Sequence, residues 1–161
     1  MEIWDLYTEN KELVGIDHER GKPLPEGLYH MVVHVWIVNS KGEYIITQRA
    51  ANRPTFPLMW ECVGGSALKG ENGLDAALRE VKEEIELSLS PENGTLINTF
   101  VRKNCKDIVE VWLFKYDGDV LTDGRTTDEV AQARWMNADE IKQLFEQDIF
   151  VPTLTYFLDI I

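Results

Sequence analysis

Three carboxylates and one guanidinium fall within six consecutive residues, Arg79-Glu80-Val81-Lys82-Glu83-Glu84. On a helix of 3.6 residues per turn, Glu80, Glu83 and Glu84 share roughly a third of the circumference. Leu74, Leu78, Val81 and Ile85 make a narrow apolar stripe on another side. Neighbouring glutamates repel by roughly a few tenths of a kcal/mol per pair in water, and more when partly buried. A divalent cation would reverse that repulsion. Mg²⁺ takes six oxygen ligands, usually one or two carboxylates with waters and phosphate oxygens, so the cluster suits phosphate chemistry. Arg79, four residues before Glu83, could hold that carboxylate in one rotamer. Taken alone, the same spacing more often marks the solvated face of an ordinary amphipathic helix.

The elements that must position this helix are legible along the chain. Glu2 to Thr8 and Glu12 to His18 read as a hairpin turning at Glu9-Asn10-Lys11, flanking the main body. Gly21 to Gly27, with Pro23 and Pro25, is a loop. Tyr29 to Val38 is apolar at both parities, which predicts a central strand covered on both faces. Its His30 and His34 share a parity; paired core or pocket histidines are commoner than metal ligands. A hairpin through Asn39-Ser40-Lys41-Gly42 leads into Glu43 to Arg49. Arg49 and Arg53 stand at the entrance of the proline-stiffened loop Ala50 to Met59, where they could grip a substrate phosphate or serve only solubility. Trp60 to Val63 reads as a short strand, and Gly64-Gly65 permits a tight bend or close approach to a ligand.

After the glutamate-rich helix, Pro91 and Asn93-Gly94 mark a break, and strands are predicted near Thr95 to Arg102 and Ile108 to Tyr116. Glu110 shares a face with Trp112 and Phe114. Asp117 to Glu129 is an acidic loop long enough to be functional. Val130 to Met136 is a further strand. Asn137 with Glu140 forms a capping-box pattern opening a helix to about Gln147, and Pro152 suits the first turn of one more helix over Thr153 to Ile161. Trp36, Phe56, Trp60 and Trp112 could stack on a substrate, although aromatic residues in strands are more often core.

With 161 residues, 44% of them hydrophobic, the chain fits one domain with a real core. A formal net charge of -12 argues against non-specific binding to nucleic acid or an anionic membrane. Cys62 and Cys105 are too few for a disulfide framework. The acidic start and the lack of a long apolar run lead to a cytoplasmic expectation, without a membrane span.

The longer pattern, Gly65, five residues, Glu71, seven residues, then Arg79-Glu80-Val81-Lys82-Glu83-Glu84, resembles the Nudix box. The order of strands and helices from about Tyr29 to Phe145 also looks like the Nudix fold. The resemblance implies an α+β architecture, an α/β/α sandwich with a mixed β-sheet between helices, here with an N-terminal β-hairpin. It implies a single domain over 1–161, with hairpin and loop over 1–27 and the core over 28–161. It further implies a metal-dependent hydrolase of a small-molecule diphosphate, usually a nucleoside diphosphate derivative, using Mg²⁺ or Mn²⁺. Carried over by position, Glu83 and Glu84 would be the main metal ligands, with the Gly64 carbonyl adding another. Glu80 would be a ligand or the base that activates water, Arg79 would orient a glutamate, and Glu71 would support the loop into the helix. Glu129 is the candidate for a second catalytic glutamate in a late loop, with Glu110 behind it. No nucleic-acid or membrane partner is implied, and a homodimer stays open.

One position departs from the box. Glu86 stands where the family usually has glycine, so the helix is expected to run on toward Ser88 or Leu89 instead of ending in a left-handed turn. The segment Leu28 to Trp60 is also similar to proteins related to isopentenyl diphosphate isomerase, which makes prenyl diphosphate isomerisation an alternative. Gly64 and Gly65 stand where that enzyme's cysteine is expected, and Ser66-Ala67 replaces a nearby histidine; Cys62 lies two positions away. A non-catalytic, ligand-sensing Nudix domain is the third reading. It commonly goes with eroded acidic positions, whereas the acidic positions here are intact.

Overall fold

The computed structural model describes residues 1–122 and 128–161. Of the acidic loop predicted at 117–129, residues 123–127 lie outside the described residues. The N-terminal hairpin pairs β1 (Ile3–Tyr7) with β2 (Leu13–Glu19), as expected. A mixed sheet follows, built from β3 (His30–Val38), β4 (Tyr44–Arg49), β5 (Trp60–Glu61), β6 (Val63–Ser66), β7 (Gly94–Arg102), β8 (Asp107–Lys115) and β9 (Val130–Met136). Two α-helices, α1 (Gly73–Ile85) and α2 (Ala138–Glu146), a short 3₁₀ turn (Pro91–Asn93) and a closing 3₁₀ segment (Pro152–Asp159) complete the described fold.

β3 is the central strand that its two-sided apolar pattern predicts. It runs parallel to β8 along its whole length and antiparallel to β6 and β4 on its other edge. Alternation sends Met31, Val33, Val35 and Ile37 into one core with Val81 and Ile85 of α1. Trp36 enters a second core with Ile141 of α2 and with Phe150, Leu154 and Phe157. The α+β sheet between helices therefore holds, with α1 on one face and α2 and the 3₁₀ segment on the other.

Two local expectations change. The strand expected over Trp60 to Val63 is divided at Cys62: β5 pairs with β4, whereas β6 crosses to pair with β3. Gly64 and Gly65 lie inside β6, opposite His34 and Val33, so they serve close packing and not a bend. A Cβ on Gly64 would stand 2.7 Å from the Val33 carbonyl. The second change is at the end of α1. The helix stops at Ile85, and Glu86 adopts the left-handed conformation, φ 59° and ψ 24°, with its N–H on the Lys82 carbonyl at 3.1 Å. The turn lets Leu87 and Leu89 pack against the α1 core, and that burial outweighs a left-handed cost of about 1 to 2 kcal/mol.

Local signals set the other helix ends. Asn72 and Asp75 form a capping box at the start of α1, and Asn137 and Glu140 form the predicted one at α2. The hairpin docks through Tyr7 and Tyr29, which exchange backbone hydrogen bonds of 2.8 and 3.0 Å. Trp4 stacks on His30 with ring centroids 4.0 Å apart. At the hairpin turn, Lys11 forms an ion pair with the buried Glu110.

Candidate active site

A cleft of about 510 Å³ opens between the C-terminal half of α1, the β6 backbone, the β4–β5 loop and the 3₁₀ segment. Glu80, Glu83 and Glu84 line it, together with Arg79, Gly64, Arg49, Arg53 and Glu129. These eight residues, all expected at the site from the sequence, thus line one cavity. Glu110 is not among its lining residues. It lies on the α1 face of β8, where it accepts from Trp112 Nε1 at 3.1 Å and pairs with Lys11, which accounts for its burial without a catalytic role.

Arg79 organises the glutamates. Its Nε and Nη2 donate to the two Glu71 oxygens at 2.7 and 3.0 Å, and Nη2 also donates to the Ser66 carbonyl at 3.0 Å. Its Nη1 donates to both Glu80 and Glu83 at 3.1 Å. Burial alone would raise the Glu71 carboxyl; hydrogen bonds from Arg79 and from the Leu68 N–H at 2.7 Å outweigh it and hold Glu71 below its ordinary value. Glu71 is therefore ionised and fixes the guanidinium, which in turn draws two box glutamates toward the cleft.

Gly65 makes room for Glu80. A Cβ there would stand no more than 2.8 Å from any of the three carboxyl atoms of Glu80, so only glycine lets that carboxyl lie against the β6 backbone. Burial pushes the Glu80 carboxyl up to about 7, against the lowering effect of Arg79. Glu84 is 8% exposed, and the Gly64 N–H donates to its Oε2 at 3.3 Å. Burial first, then the charges of Glu80 and Glu61, raise it well above the usual carboxylate range. Glu83 is half exposed at the rim.

The β4–β5 loop supplies the next layer. Arg49 is committed to its own surroundings: Nη1 pairs with Glu61 at 2.9 Å, while Nε and Nη2 donate to the Thr55 carbonyl and hydroxyl. Neither a free phosphate grip nor a solvated surface describes it. Arg53 pairs with Glu129 at 3.2 Å, and the Ala50 N–H bonds the Glu129 carbonyl at 2.9 Å, so the loop and the late acidic residue hold each other. Burial raises the Glu61 carboxyl even against Arg49.

Some lining residues had no signal in the sequence. Glu61, Arg102 and Arg20 reach the cleft only through strand pairing and hairpin docking, whereas His34 takes the pocket position that its strand parity had left open. His34 faces the cleft with its Nδ1 within 2.8 Å of the Tyr156 hydroxyl, which also accepts from Trp36 Nε1 at 3.1 Å. Burial lowers His34 to about 3 and His30 to about 4, so both rings are neutral. Cys62 is buried on the cleft wall, and burial pushes its thiol well up. Of the aromatic candidates, Trp36 and Trp60 are core, Trp112 packs beside α1, and Phe56 is exposed on the loop.

Among the described residues, no three carboxylate, imidazole or thiol groups already surround a common point as they would a bound ion. The donors are nevertheless hard oxygens. Repelling carboxylates held within one cleft, two of them with raised proton affinity, are stabilised by a divalent cation. The residues present fit such an ion. Among the described residues, no helix is long and apolar enough to cross a membrane.

The NUDIX domain model matches residues 28–154. An uncharacterized Nudix hydrolase of Listeria innocua is 35% identical over 153 residues, covering 94% of this chain and 89% of that protein. Isopentenyl-diphosphate Delta-isomerase I of Clarkia breweri is 30% identical over 166 residues, covering 88% of this chain and 57% of the isomerase. Among solved structures, DR0079 of Deinococcus radiodurans superposes with a TM-score of 0.73 at 22% identity, over 93% of this chain and 92% of the other.

Proposed function

This chain belongs to the Nudix hydrolase family, and on that premise we propose that it cleaves a diphosphate linkage in a nucleoside diphosphate derivative or similar small molecule, with Mg²⁺ or Mn²⁺. One observation carries the reading: a single guanidinium, Arg79, anchored by Glu71, holds Glu80 and Glu83 beside Glu84 and the β6 backbone in one cleft. Glu83, Glu84, Glu80 and the Gly64 carbonyl would hold the ion. When bound, it would neutralise charge on the diphosphate and on the leaving phosphate.

Water attacks one phosphorus, the bridging P–O bond breaks, and the products are two phosphate species. The attacking water must lose a proton. Glu80, raised to about 7, and Glu129, which lines the same cleft, are the carboxylates proposed to accept it. Arg79 positions Glu80 for that role and does not touch the substrate. Arg49 and Arg53 act in substrate binding by shaping the loop above the diphosphate, since their side chains are engaged with Glu61, Thr55 and Glu129.

The test is a panel of diphosphate compounds with Mg²⁺ or Mn²⁺, read by release of phosphate or mononucleotide. Glu83→Gln and Glu84→Gln are each expected to lower turnover by more than the roughly 10- to 100-fold that loss of an outer metal partner costs, in folded protein. Absence of hydrolysis across the panel, or full activity in both variants, would refute the reading. Conversion of isopentenyl diphosphate to its allylic isomer would favour the isomerase, for which the similarity to the Clarkia breweri enzyme and Cys62 on the cleft wall are the supporting features.

A further inference from the structure

The chain carries seven arginines and nine lysines against 28 acidic residues. Five of those arginines and none of the lysines line the cleft. Arginine is the cation whose planar fork suits phosphate oxygens. Arg49, Arg53 and Arg79 are accounted for by Glu61, Glu129 and the box glutamates. Arg102 and Arg20 are not, since neither has an ion pair with any of those carboxylates among the described residues.

Arg102 ends β7, and its Nε and Nη2 bond the two Asp107 oxygens at 2.8 and 2.7 Å. Asp107 is 4% exposed and does not line the cleft, whereas Arg102 does. The carboxylate thus backs the guanidinium and leaves Nη1 outside the pair. Arg20 comes from the hairpin, lies 5.9 Å over the Trp4 ring and pairs with Glu2. That pair is solvent-exposed, so it contributes little and can be exchanged for an incoming anion. A third donor, His34, lines the same cleft. Trp36 Nε1 can only donate to the Tyr156 oxygen, which leaves the Tyr156 proton for His34 Nδ1; the neutral His34 ring then carries its own proton on Nε2, at the edge turned from Tyr156. Three donors from three elements, β2's end, β3 and β7, therefore line the cleft apart from the box carboxylates.

We propose that Arg20, Arg102 and His34 form a subsite for a phosphate monoester carried by the moiety attached to the substrate's diphosphate. A terminal phosphate has three acceptor oxygens, matching three donors that approach from separate elements, and a cleft of about 510 Å³ is larger than a diphosphate alone requires. The subsite rests on the diphosphate reading for its substrate, but its anion recognition can be measured without turnover.

The experiment compares compounds that differ by one distal phosphate: NADPH with NADH, and coenzyme A with its dephospho form. In the wild type with Mg²⁺, kcat/KM should favour the phosphorylated member of at least one pair by about tenfold, mainly through KM. Arg20→Met and Arg102→Lys should each bring that ratio close to one; Arg102→Lys keeps a cation against the buried Asp107, so folding is preserved. The same compounds are titrated calorimetrically into metal-free protein. A phosphate-dependent gain in binding that Arg20→Met removes supports the subsite even if nothing is hydrolysed, in which case only the hydrolase reading falls. Equal or absent binding of all four compounds, or an equal loss for both members of a pair in Arg20→Met, overturns the subsite.

Discussion

Glu80→Gln in metal-free protein should flatten the dependence of stability on pH. In the folded chain the Glu80 carboxyl is raised from 4.5 to about 7, chiefly because burial penalises its charge. A carboxyl raised on folding leaves stability intact below pH 4.5 and withdraws it as pH climbs through 7. The destabilisation is about 3 kcal/mol well above pH 7 but below about 1 kcal/mol at pH 5, so the wild type should lose about 2.5 kcal/mol from this group between pH 5 and pH 8.5. The side chain is 13% exposed, so solvent screening takes little from that figure. Glutamine keeps an oxygen for Arg79 Nη1 and removes the titration. Urea denaturation in EDTA at the two pH values reads the effect directly. The variant should lose about 2.5 kcal/mol less than the wild type, and Mg²⁺ at about 100 times its dissociation constant should return about 2.7 kcal/mol to the wild type at pH 8.5. An identical pH slope in wild type and variant would refute the argument that Glu80 is charged at the cost of desolvation.

Two further substitutions test the geometry around the same helix. Gly65→Ala should displace the Glu80 carboxyl, because the new Cβ would overlap it; turnover should fall at least tenfold with little change in Tm, since the group that moves is the end of a flexible side chain. Equal turnover would show that Glu80 works from another position. Glu86→Gly should raise stability by up to about 1 kcal/mol, because it relieves a left-handed residue and removes a negative charge from the helix C-terminus, as read by denaturation midpoint; a lower midpoint would mean that Glu86 makes a stabilising contact.

What could be read from the chain alone divides by the range of the interaction. The box spacing placed Glu71, Arg79, Glu80, Glu83 and Glu84 on one loop and helix, and the Asn137–Glu140 cap was legible because both are local rules. Glu86 was misread because its left-handed turn is driven by the burial of Leu87 and Leu89, a tertiary effect that outweighs local preference. The division of the strand at Cys62 depends on β6 finding β3 instead of β4. Arg49 sits at the expected loop entrance, yet its commitment to Glu61 and Thr55 arises from a β4–β5 pairing that spacing does not encode. Arg102 was invisible as a site residue for the same reason, whereas strand parity had left His34 open as a pocket histidine.

The bond between His34 and Tyr156 spans 122 positions of the chain, whereas the helix holding the glutamates closes through contacts a few residues apart. The two halves of the cleft therefore arise on different clocks. A local segment can gather carboxylates early, but the donor wall must await the docking of distant strands and the 3₁₀ segment, the slow, non-local part of folding. Any catalytic competence would consequently appear with completion of the global fold, and a partly folded chain could attract metal without yet having a place for the substrate's far end.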